Sequence, residues 1–429
     1  MSQKHRTGQG AFNRRVDGWI LEALDDGARS FEEILLALPG VFPLDLARAL
    51  QRLKRGRRLS LSAKGEAGAE VNPADTSIPS TPLPVPHPLD YDWRFAEKAV
   101  RRTLDACLQL SATDDAILFL GTPTTALAAS GQNARRKLRF VEWNVSVIDV
   151  LAGSAGIAVD HIDVLNHGSF DHESAVVLID PPWYRDHMRA FMWAATQWCV
   201  PGGHIVVSMP PVGTRPEMEH EHDEFRGYCA ELGLHVLEIE EQALPYLTPP
   251  FEINALRASG IDSVPIQWRR GDLWILRREH KGNVPAPPSP AEYLWHDHAL
   301  GAMRFKTRAI SSLADVVDPR LTSLVDGDIC SAVSRHHPLR NNARVWTSGN
   351  RVYGCASPSL WAHIATALRR GQAPVDAVAG AVGRSLPPDK ARHVRVAAEQ
   401  MLRISELERK ELISLGHDYG SPQVVRSAS

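Results

Sequence analysis

Short apolar runs, separated by helical or loop segments, recur through the middle of the 429-residue chain. They show no alternation of polar and apolar positions, which is typical of strands buried on both faces of a parallel sheet. The predicted strands are Ala116–Leu120, Leu138–Glu142, Val159–Asp163, Ala175–Asp180 and His204–Met209. A helix over Tyr91–Leu110 precedes them, and Leu234–Glu240 with Asp272–Arg277 predicts a hairpin at the sheet edge. This pattern predicts a doubly wound α/β sheet, which binds ligands at the carboxyl ends of its strands.

Two proline-rich segments divide the chain, which is long enough for about three domains. Residues 63–90 end in PSTPLPVPHPLD and predict a semi-rigid linker, and NVPAPPSP at 283–290 predicts a second break. The predicted domains are residues 1–62, 91–280 and 291–429. The last is mainly helical, although a hairpin at Arg344–Cys355 and a helix over Ser357–Arg370 make a second winged unit an alternative.

The first 62 residues have the pattern of a winged helix-turn-helix. Apolar residues at helical spacing predict a helix over Arg14–Leu24, and Ser30 with Glu33 forms a capping box for the next helix. Pro43 opens a third helix that runs to Lys54, and a strand-like wing follows. The third helix and the wing carry a basic strip of Arg48, Arg52, Lys54, Arg55, Arg57 and Arg58. It predicts contacts with nucleic-acid phosphates, with a protein-interaction domain as the alternative because the net charge is −2.

Three acidic residues come at the ends of successive predicted strands: Glu142, Asp163 and Asp180. Because parallel strands bring their carboxyl ends to one edge, we expect these side chains to lie close together. Glu142 lies 21 positions after Gly121. That is close to the spacing of about 20 at which a carboxylate binds ribose hydroxyls in nucleotide-binding α/β folds. Asp163 could accept a hydrogen bond from an adenine amino group.

The strongest short motif is the run Asp180, Pro181, Pro182, Trp183 and Tyr184. Two prolines directly after a buried strand keep the backbone extended and remove two N–H donors, which leaves acceptors beside the Asp180 carboxylate. An acceptor-rich site suits an –NH₂ group, and Trp183 or Tyr184 could offer a stacking face to a planar substrate. The alternative is a turn that ends the strand, with a core tryptophan.

These motifs resemble those of the class I S-adenosylmethionine-dependent methyltransferases, in particular the amine and adenine N-methyltransferases with a (D/N)PP(Y/F/W) motif. The segment VPGGHIVVSMP at 200–210 is similar to the PGG turn that leads into the fifth strand of that superfamily. The resemblance covers roughly residues 113–280 and implies S-adenosylmethionine as the cofactor. It also implies that Asp180 binds the target amine, Glu142 the cofactor ribose and Asp163 the cofactor adenine.

The first loop, FLGTPTTAL, departs from that family, whose glycines let the backbone approach the cofactor. Gly121 is its single glycine, and Thr122 and Thr124 are the other cofactor-binding residues that we predict there. Thr124 or Thr125 could also cap the following helix. The layout is similar to that of branched-chain polyamine synthases, which have a winged helix, a non-GxG first loop and a DPP motif. Their loop is rich in aspartates that neutralise a polyamine, whereas LGTPTT has none.

The predicted function is methyl transfer from S-adenosylmethionine to an amino group, with a nucleobase as one acceptor class. The alternatives are aminopropyl transfer from decarboxylated S-adenosylmethionine and a non-catalytic nucleic-acid or partner-binding protein. Five scattered cysteines without a CxxC pair, and apolar runs too short for a membrane span, predict a cytoplasmic protein with reduced thiols. HEH at 220–222 and HDH at 296–298 have no third ligand at a recognisable spacing, so no metal site is predicted.

Overall fold

The computed structural model describes residues 3–56, 82–132, 136–166, 171–289, 294–308 and 317–416. The chain forms two compact units, each assembled from segments that are distant in sequence. Unit 1 comprises Met1–Asn72, Trp93–Thr248 and Ser263–Pro290. Unit 2 comprises Pro73–Asp92, Pro249–Asp262 and Ala291–Ser429. The predicted domain boundaries stay a prediction, and the two units are described separately below.

Unit 1 begins with three helices packed on one apolar core. They are α1 (Gln3–Asp25), α2 (Phe31–Ala37) and α3 (Pro43–Arg55). The predicted capping box is confirmed, since the Glu33 N–H donates to Ser30 Oγ at 3.1 Å and the Ser30 N–H donates to the Glu33 carboxylate at 3.0 Å. The core residues include Phe12, Val16, Ile20, Leu35, Leu46 and Trp268. The predicted wing lies outside the described residues.

An eight-stranded sheet forms the rest of unit 1. Its strands are β1 (Arg94–Phe95), β2 (Ala116–Leu120), β3 (Lys137–Glu142), β4 (Ile157–His161), β5 (Ser174–Ile179), β6 (Cys199–Met209), β7 (Leu234–Leu247) and β8 (Arg270–Arg278). The spatial order is β1-β7-β8-β6-β5-β2-β3-β4. Strands β4, β3, β2, β5 and β6 are parallel, and β8 lies antiparallel between β6 and β7. The predicted doubly wound sheet is therefore confirmed. The antiparallel pair of β7 and β8 is also present, but β1 pairs with β7 on its other side and forms the edge that was predicted for this hairpin.

The helices of this α/β region are α4 (Glu97–Gln109), α5 (Pro123–Gln132), α6 (Val145–Ala152), α7 (Arg185–Trp198) and α8 (Met218–Glu231). Every residue of β2 from Ile117 to Leu120 is at least 98% buried. Burial on both faces of the strand explains why its sequence shows no polar alternation. The core beside α7 and α8 includes Leu118, Val177, Met192, Trp198 and Trp274.

The segment before the sheet differs from the single helix predicted over Tyr91–Leu110. The structure has an extended strand, β1, and helix α4 begins only at Glu97. The strand pairs with the end of β7, and the Phe95 ring lies 4.9 Å from the Tyr246 ring. Aromatic packing between distant segments therefore overrides the local helical preference.

The PGG segment lies within β6 as a bulge and does not precede the strand as a turn. Ser174 is opposite Cys199, whereas Val176 is opposite His204, so β6 holds extra residues there. A Cβ on Gly203 would lie 2.7 Å from the carbonyl oxygen of Ala175, closer than a side chain can approach. The bulge therefore requires glycine at this position.

Unit 2 combines a five-stranded antiparallel sheet with four helices among the residues that the structure describes. The strands are β9 (Trp295–Leu300), β10 (Met303–Arg308), β11 (Thr322–Ser323), β12 (Val345–Thr347) and β13 (Val352–Gly354), in the order β11-β13-β12-β10-β9. The helices are α9 (Pro250–Ala258), α10 (Leu360–Arg369), α11 (Pro374–Val382) and α12 (Pro388–Ser414). The predicted hairpin and helical region are confirmed. The rest of the sheet was not predicted, because WHDHAL and MRFKTR are rich in charged and polar residues. None of the helices in the described residues is long and apolar enough to cross a membrane.

A buried ionic cluster joins the start of unit 2 to its sheet. The Asp90 carboxylate accepts hydrogen bonds from Arg304, at 2.8 Å, and from Lys306. Arg304 also donates to Asp297 at 2.6 Å. The side chains of Asp90, Arg304 and Lys306 are at most 4% exposed. His87, in the same segment, is fully buried, so residues 82–90, predicted as the end of a linker, are packed into the unit.

Strand β8 contains a buried carboxyl group whose ionisation should affect stability. Asp272 is 4% exposed, and its Oδ1 accepts a hydrogen bond from the backbone N–H of Gln242 at 2.8 Å. Gln242 lies at a register shift in β7 and has a φ of 51°. Burial raises the pKa of Asp272 to about 6, and the charge of Glu241 adds to the rise. The hydrogen bond from Gln242 acts in the opposite direction and lowers the pKa. The neutral carboxyl is therefore the form that this fold favours.

We expect Asp272→Asn to make unfolding less dependent on pH. Because the folded-state pKa is above the unfolded value of about 3.9, this group stabilises the fold below that value. The stabilisation is lost as the pH rises through 6. Relative to wild type, the free energy of unfolding of the variant should gain about 2 kcal/mol between pH 4 and pH 8, measured by urea denaturation. Asp149→Asn, at an exposed position of α6, is the control. An equal difference from wild type at both pH values would contradict the prediction.

Candidate active site

The carboxyl ends of three parallel strands meet at one edge of the unit 1 sheet. The register aligns Leu120 of β2 with Val141 of β3 and Ile179 of β5. The residues that follow them, Gly121, Glu142 and Asp180, therefore stand at a common edge. The backbone N–H of Asp180 donates to the carbonyl of Leu120 at 3.3 Å, which holds the two strand ends together. Asp163 lies two residues beyond the end of the neighbouring strand β4. The structure thus brings together the acidic residues that the sequence analysis singled out.

The loop after β2 requires its glycine. Gly121 has a φ of +65°, and a Cβ there would lie 3.3 Å from both the carbonyl oxygen of Asp180 and the Phe191 ring. The next residue, Thr122, is 1% exposed, and its hydroxyl has no hydrogen-bond partner among the described residues. Thr124 is half-buried, whereas the Thr125 hydroxyl lies 3.2 Å from that of Thr103 on α4. A buried hydroxyl without a partner, beside a backbone position that only glycine fits, suits a polar group of a ligand at this loop.

The carboxylates of Glu142 and Asp163 are both oriented by local hydrogen bonds. Oε1 of Glu142 accepts from the backbone N–H groups of the next two residues, at 2.9 and 3.0 Å. Asp163 accepts from the backbone N–H of Leu165 at 2.9 Å and from the side-chain amide of Asn166 at 2.5 Å. Each carboxylate has about four lone-pair sites, so these contacts are compatible with binding hydroxyl or amino groups as well. Their roles toward a cofactor stay predictions.

A tyrosine that the sequence analysis missed holds Asp180. The Tyr246 hydroxyl donates to Asp180 Oδ1 at 2.5 Å, and the hydroxyl of Ser208 lies 2.6 Å from that of Tyr246. Tyr246 is 2% exposed and Ser208 is fully buried. Burial raises the pKa of Tyr246 well above its usual value, and the charge of Asp180 raises it further. The tyrosine is therefore a neutral donor at any physiological pH.

The tryptophan of the motif contacts an arginine. Trp183 is 8% exposed, and the Arg269 guanidinium carbon lies 3.9 Å from its ring centroid and 4.3 Å from that of Trp93. Tyr246 meets Trp183 edge to face at 5.6 Å. A guanidinium between two indole rings is favourable through cation–π attraction. Stacking of a substrate on Trp183 stays a prediction, and Tyr184, the other ring of the motif, is half-buried.

The two prolines of the motif differ in burial, and backbone carbonyls of the motif accept hydrogen bonds within the protein. Pro181 is buried and Pro182 is half-buried. The carbonyl of Trp183 accepts from Arg215 at 2.8 Å, and that arginine is held in turn by Glu221. The Pro182 carbonyl accepts from the Tyr184 N–H at 2.7 Å, so two of the carbonyls expected to be free acceptors around the motif have partners within the protein.

The basic strip on α3 is partly neutralised within its own domain. Arg52 forms an ion pair with Asp17 at 2.8 Å, and Arg48 one with Asp45 at 3.4 Å. Lys54 and Arg55 are exposed, whereas Arg57 and Arg58 lie outside the described residues. Contacts with nucleic acid stay a prediction.

Histidines of both HxH motifs contact other groups of the protein, and His220 lies 3.7 Å from the Glu224 carboxylate. His222 lies 2.7 Å from the carbonyl of Pro210, and His298 lies 3.0 Å from the hydroxyl of Thr307. No three His, Cys, Asp or Glu side chains of the described residues are grouped closely enough to hold a metal ion. All five cysteines are free thiols.

Comparisons with known proteins give information on the fold. No protein-family model and no curated protein matches the sequence. The structure is similar to the branched-chain polyamine synthase from Thermus thermophilus, solved in complex with N4-aminopropylspermidine and 5'-methylthioadenosine. The TM-score is 0.51 at 13% identity, over 65% of this chain and 91% of the synthase. A mutein of the same synthase also matches at 0.51, with 14% identity over 65% and 90%.

This similarity and the strand order together decide the fold. Unit 1 has the class I methyltransferase fold. A 16S rRNA methyltransferase from T. thermophilus, solved with AdoMet and guanosine, also matches, with a TM-score of 0.29 at 16% identity over 53% of this chain and 51% of that one. In the class I methyltransferase fold of unit 1, Gly121, Glu142, Asp163 and Asp180 follow neighbouring parallel strands.

Proposed function

We propose that unit 1 binds S-adenosylmethionine at the carboxyl edge of its sheet and transfers the methyl group to an amino nitrogen held by Asp180. Gly121 would allow close approach of the cofactor, Glu142 would bind its ribose hydroxyls and Asp163 its adenine amino group. Thr122 and Thr124 would add hydroxyl contacts at the first loop. When bound, the cofactor would supply an electrophilic methyl group on a sulfonium, whose sulfur keeps the electrons of the broken S–C bond and leaves as a neutral thioether.

One observation carries this proposal: the Asp180 carboxylate stands at the same sheet edge as Gly121 and Glu142. A carboxylate that accepts an N–H from the acceptor amine orients the nitrogen lone pair, and orientation is a large part of catalysis for such a transfer. Positive charge develops on the nitrogen during transfer, and a negative group nearby stabilises it. The proton that the nitrogen then loses passes to Asp180 or to water.

The charges around the motif favour an acceptor that is neutral before the reaction. The Arg269 guanidinium lies against Trp183, which belongs to the same motif as Asp180. The first loop, LGTPTT, contributes no acidic residue. A polyamine carries several positive charges and needs several carboxylates to replace its hydration. A nucleobase amino group is uncharged and needs only hydrogen-bond acceptors, which Asp180 supplies. We therefore place a nucleobase amine first among acceptors, with exposed Lys54 and Arg55 as candidate phosphate contacts.

The second candidate is aminopropyl transfer from decarboxylated S-adenosylmethionine. It is supported by the similarity to the branched-chain polyamine synthase, which extends over 65% of this chain. The reaction would use Asp180 in the same way, because its nucleophile is also an amine. The two candidates differ in the cofactor carboxylate and in the charge of the acceptor.

Calorimetry with each cofactor, followed by mass spectrometry of the acceptors, tests the proposal. We expect S-adenosylmethionine to bind more tightly than its decarboxylated form, and RNA or DNA fragments to gain methyl groups while spermidine does not react. Tighter binding of the decarboxylated cofactor, with aminopropyl addition to spermidine, would establish the second candidate instead. If neither cofactor binds at millimolar concentration, the fold serves as a non-catalytic scaffold.

A further inference from the structure

We infer that Ser208 and Tyr246 form a chain of hydrogen-bond donors that positions the Asp180 carboxylate, and that Tyr246 is a positioning residue for the acceptor amine. The inference rests on the proposed function of Asp180. It concerns residues of β6 and β7 that lie outside the Asp-Pro-Pro-Trp motif, 28 and 66 positions beyond Asp180.

The chain has a defined direction. An ionised carboxylate only accepts hydrogen bonds, so in the 2.5 Å contact Tyr246 is the donor and Asp180 Oδ1 the acceptor. A tyrosine hydroxyl has one hydrogen, so the Tyr246 oxygen can only accept in its 2.6 Å contact with Ser208. Ser208 therefore donates to Tyr246, which donates to Asp180. Successive donors polarise each other and strengthen the bond to the carboxylate.

Packing fixes this chain in place. The Tyr246 ring lies between Phe95, at 4.9 Å, and Trp183, at 5.6 Å. Gly271 of β8 leaves the space that the two hydroxyl residues need. A Cβ there would lie 2.4 Å from Ser208 Oγ, 3.2 Å from Trp183 and 3.3 Å from the Tyr246 ring. Both hydroxyl residues are buried, so water does not compete for the hydrogen bond between them, and Tyr246 donates to the half-buried Asp180 carboxylate from a fixed position.

Tyr246 acts through Asp180 and does not take part in proton transfer itself. The charged groups that act on its hydroxyl are Asp180 and Arg269, and burial together with Asp180 raises the pKa of Tyr246 well above its usual value. As a donor it already holds its proton, so it cannot accept the one that the acceptor nitrogen loses. A carboxylate has about four lone-pair sites, so Asp180 can accept from Tyr246 and from an amine at the same time.

The test compares Tyr246→Phe with Tyr228→Phe in the full-length protein. Tyr228 is a matched control, because it is also buried in unit 1 and donates to a backbone carbonyl, that of Arg189, at 3.3 Å. Carbon-13 NMR of labelled aspartate follows the titration of Asp180, whose resonance is assigned by its absence in Asp180→Asn. In Tyr246→Phe, we expect the titration midpoint of Asp180 to move to higher pH by about 1 to 2 units, because the charged carboxylate loses a hydrogen bond. In Tyr228→Phe, we expect the midpoint of Asp180 to be unchanged.

Activity gives a second readout. We expect kcat/KM of Tyr246→Phe to fall about 10- to 100-fold with cofactor affinity unchanged, and Ser208→Ala to shift both readouts less but in the same direction. An Asp180 midpoint that is unchanged in Tyr246→Phe would overturn the inference, and if that variant does not fold, an unchanged midpoint in Ser208→Ala would do so. If the wild type methylates no acceptor, the proposed function fails, whereas the NMR titration still decides the role of Tyr246.

Discussion

Asp180→Asn is expected to lower kcat for methyl transfer by about 10²- to 10³-fold, the usual effect of removing one group that stabilises developing charge. The amide has nearly the same shape and still offers an oxygen to Tyr246. It carries no negative charge. Its –NH₂ group is also a hydrogen-bond donor at the position where the substrate amine needs a hydrogen-bond acceptor. Radiolabelled methyl transfer under saturating cofactor measures the change.

Two controls separate chemistry from structure in this experiment. Asp149→Asn removes a carboxylate at an exposed position of α6 and should leave kcat at the wild-type level. Calorimetry should find that S-adenosylmethionine binds to Asp180→Asn within about 2-fold of wild type, since the predicted cofactor contacts are on other strands. Wild-type turnover in Asp180→Asn would remove Asp180 from the reaction.

Asp90→Asn is expected to destabilise unit 2 by about 3 to 5 kcal/mol, the usual cost of removing one partner from a buried ion pair. Burial by itself would raise the pKa of Asp90, but the charges of Lys306 and Arg304 outweigh it and lower the pKa below the usual range. In the variant, Lys306 would keep a charge at 3% side-chain exposure without its carboxylate partner. Urea unfolding followed by circular dichroism measures the loss.

The pH dependence of this loss gives it a distinctive signature. Because the folded-state pKa of Asp90 is lowered, its stabilisation is present above the unfolded value of about 3.9 and is lost as the pH falls toward the folded value. The difference between wild type and Asp90→Asn should therefore be constant at neutral pH and shrink below about pH 4. Asp326→Asn, at an exposed loop position of unit 2, should show no difference. A neutral-pH loss below about 1 kcal/mol would mean that the cluster adds little stability.

The parts of the fold that could be predicted are those in which local pattern and tertiary structure agree. The runs AILFL and VVLI are apolar because both faces of β2 and β5 are buried, so sequence alone located these strands to within a residue. Parallel pairing then brings Gly121, Glu142 and Asp180 to one edge without further information. The capping box of α2 was equally predictable, because its hydrogen bonds join residues three positions apart.

The parts that were missed depend on contacts between distant segments. Nothing near Asp180 in sequence points to Tyr246, 66 positions away, although Ser208 is a polar residue in the apolar run IVVSM. Arg269 is a surface-like residue by sequence, and only the two indole rings around it explain its place. Strand β10 was missed for a related reason. Its inward charges, Arg304 and Lys306, are compensated by Asp90, whose segment reads as a linker.

The ionic cluster of unit 2 also sets an order of events during protein synthesis. Asp90 leaves the ribosome 214 residues before Arg304. At roughly 5 to 20 residues per second, this delay is about 10 to 40 s. Throughout that interval the Asp90 carboxylate is without the counter-ions that it has in the finished protein. All of unit 1, whose last segment ends at Pro290, is therefore synthesised before the first segment of unit 2 can adopt its native environment.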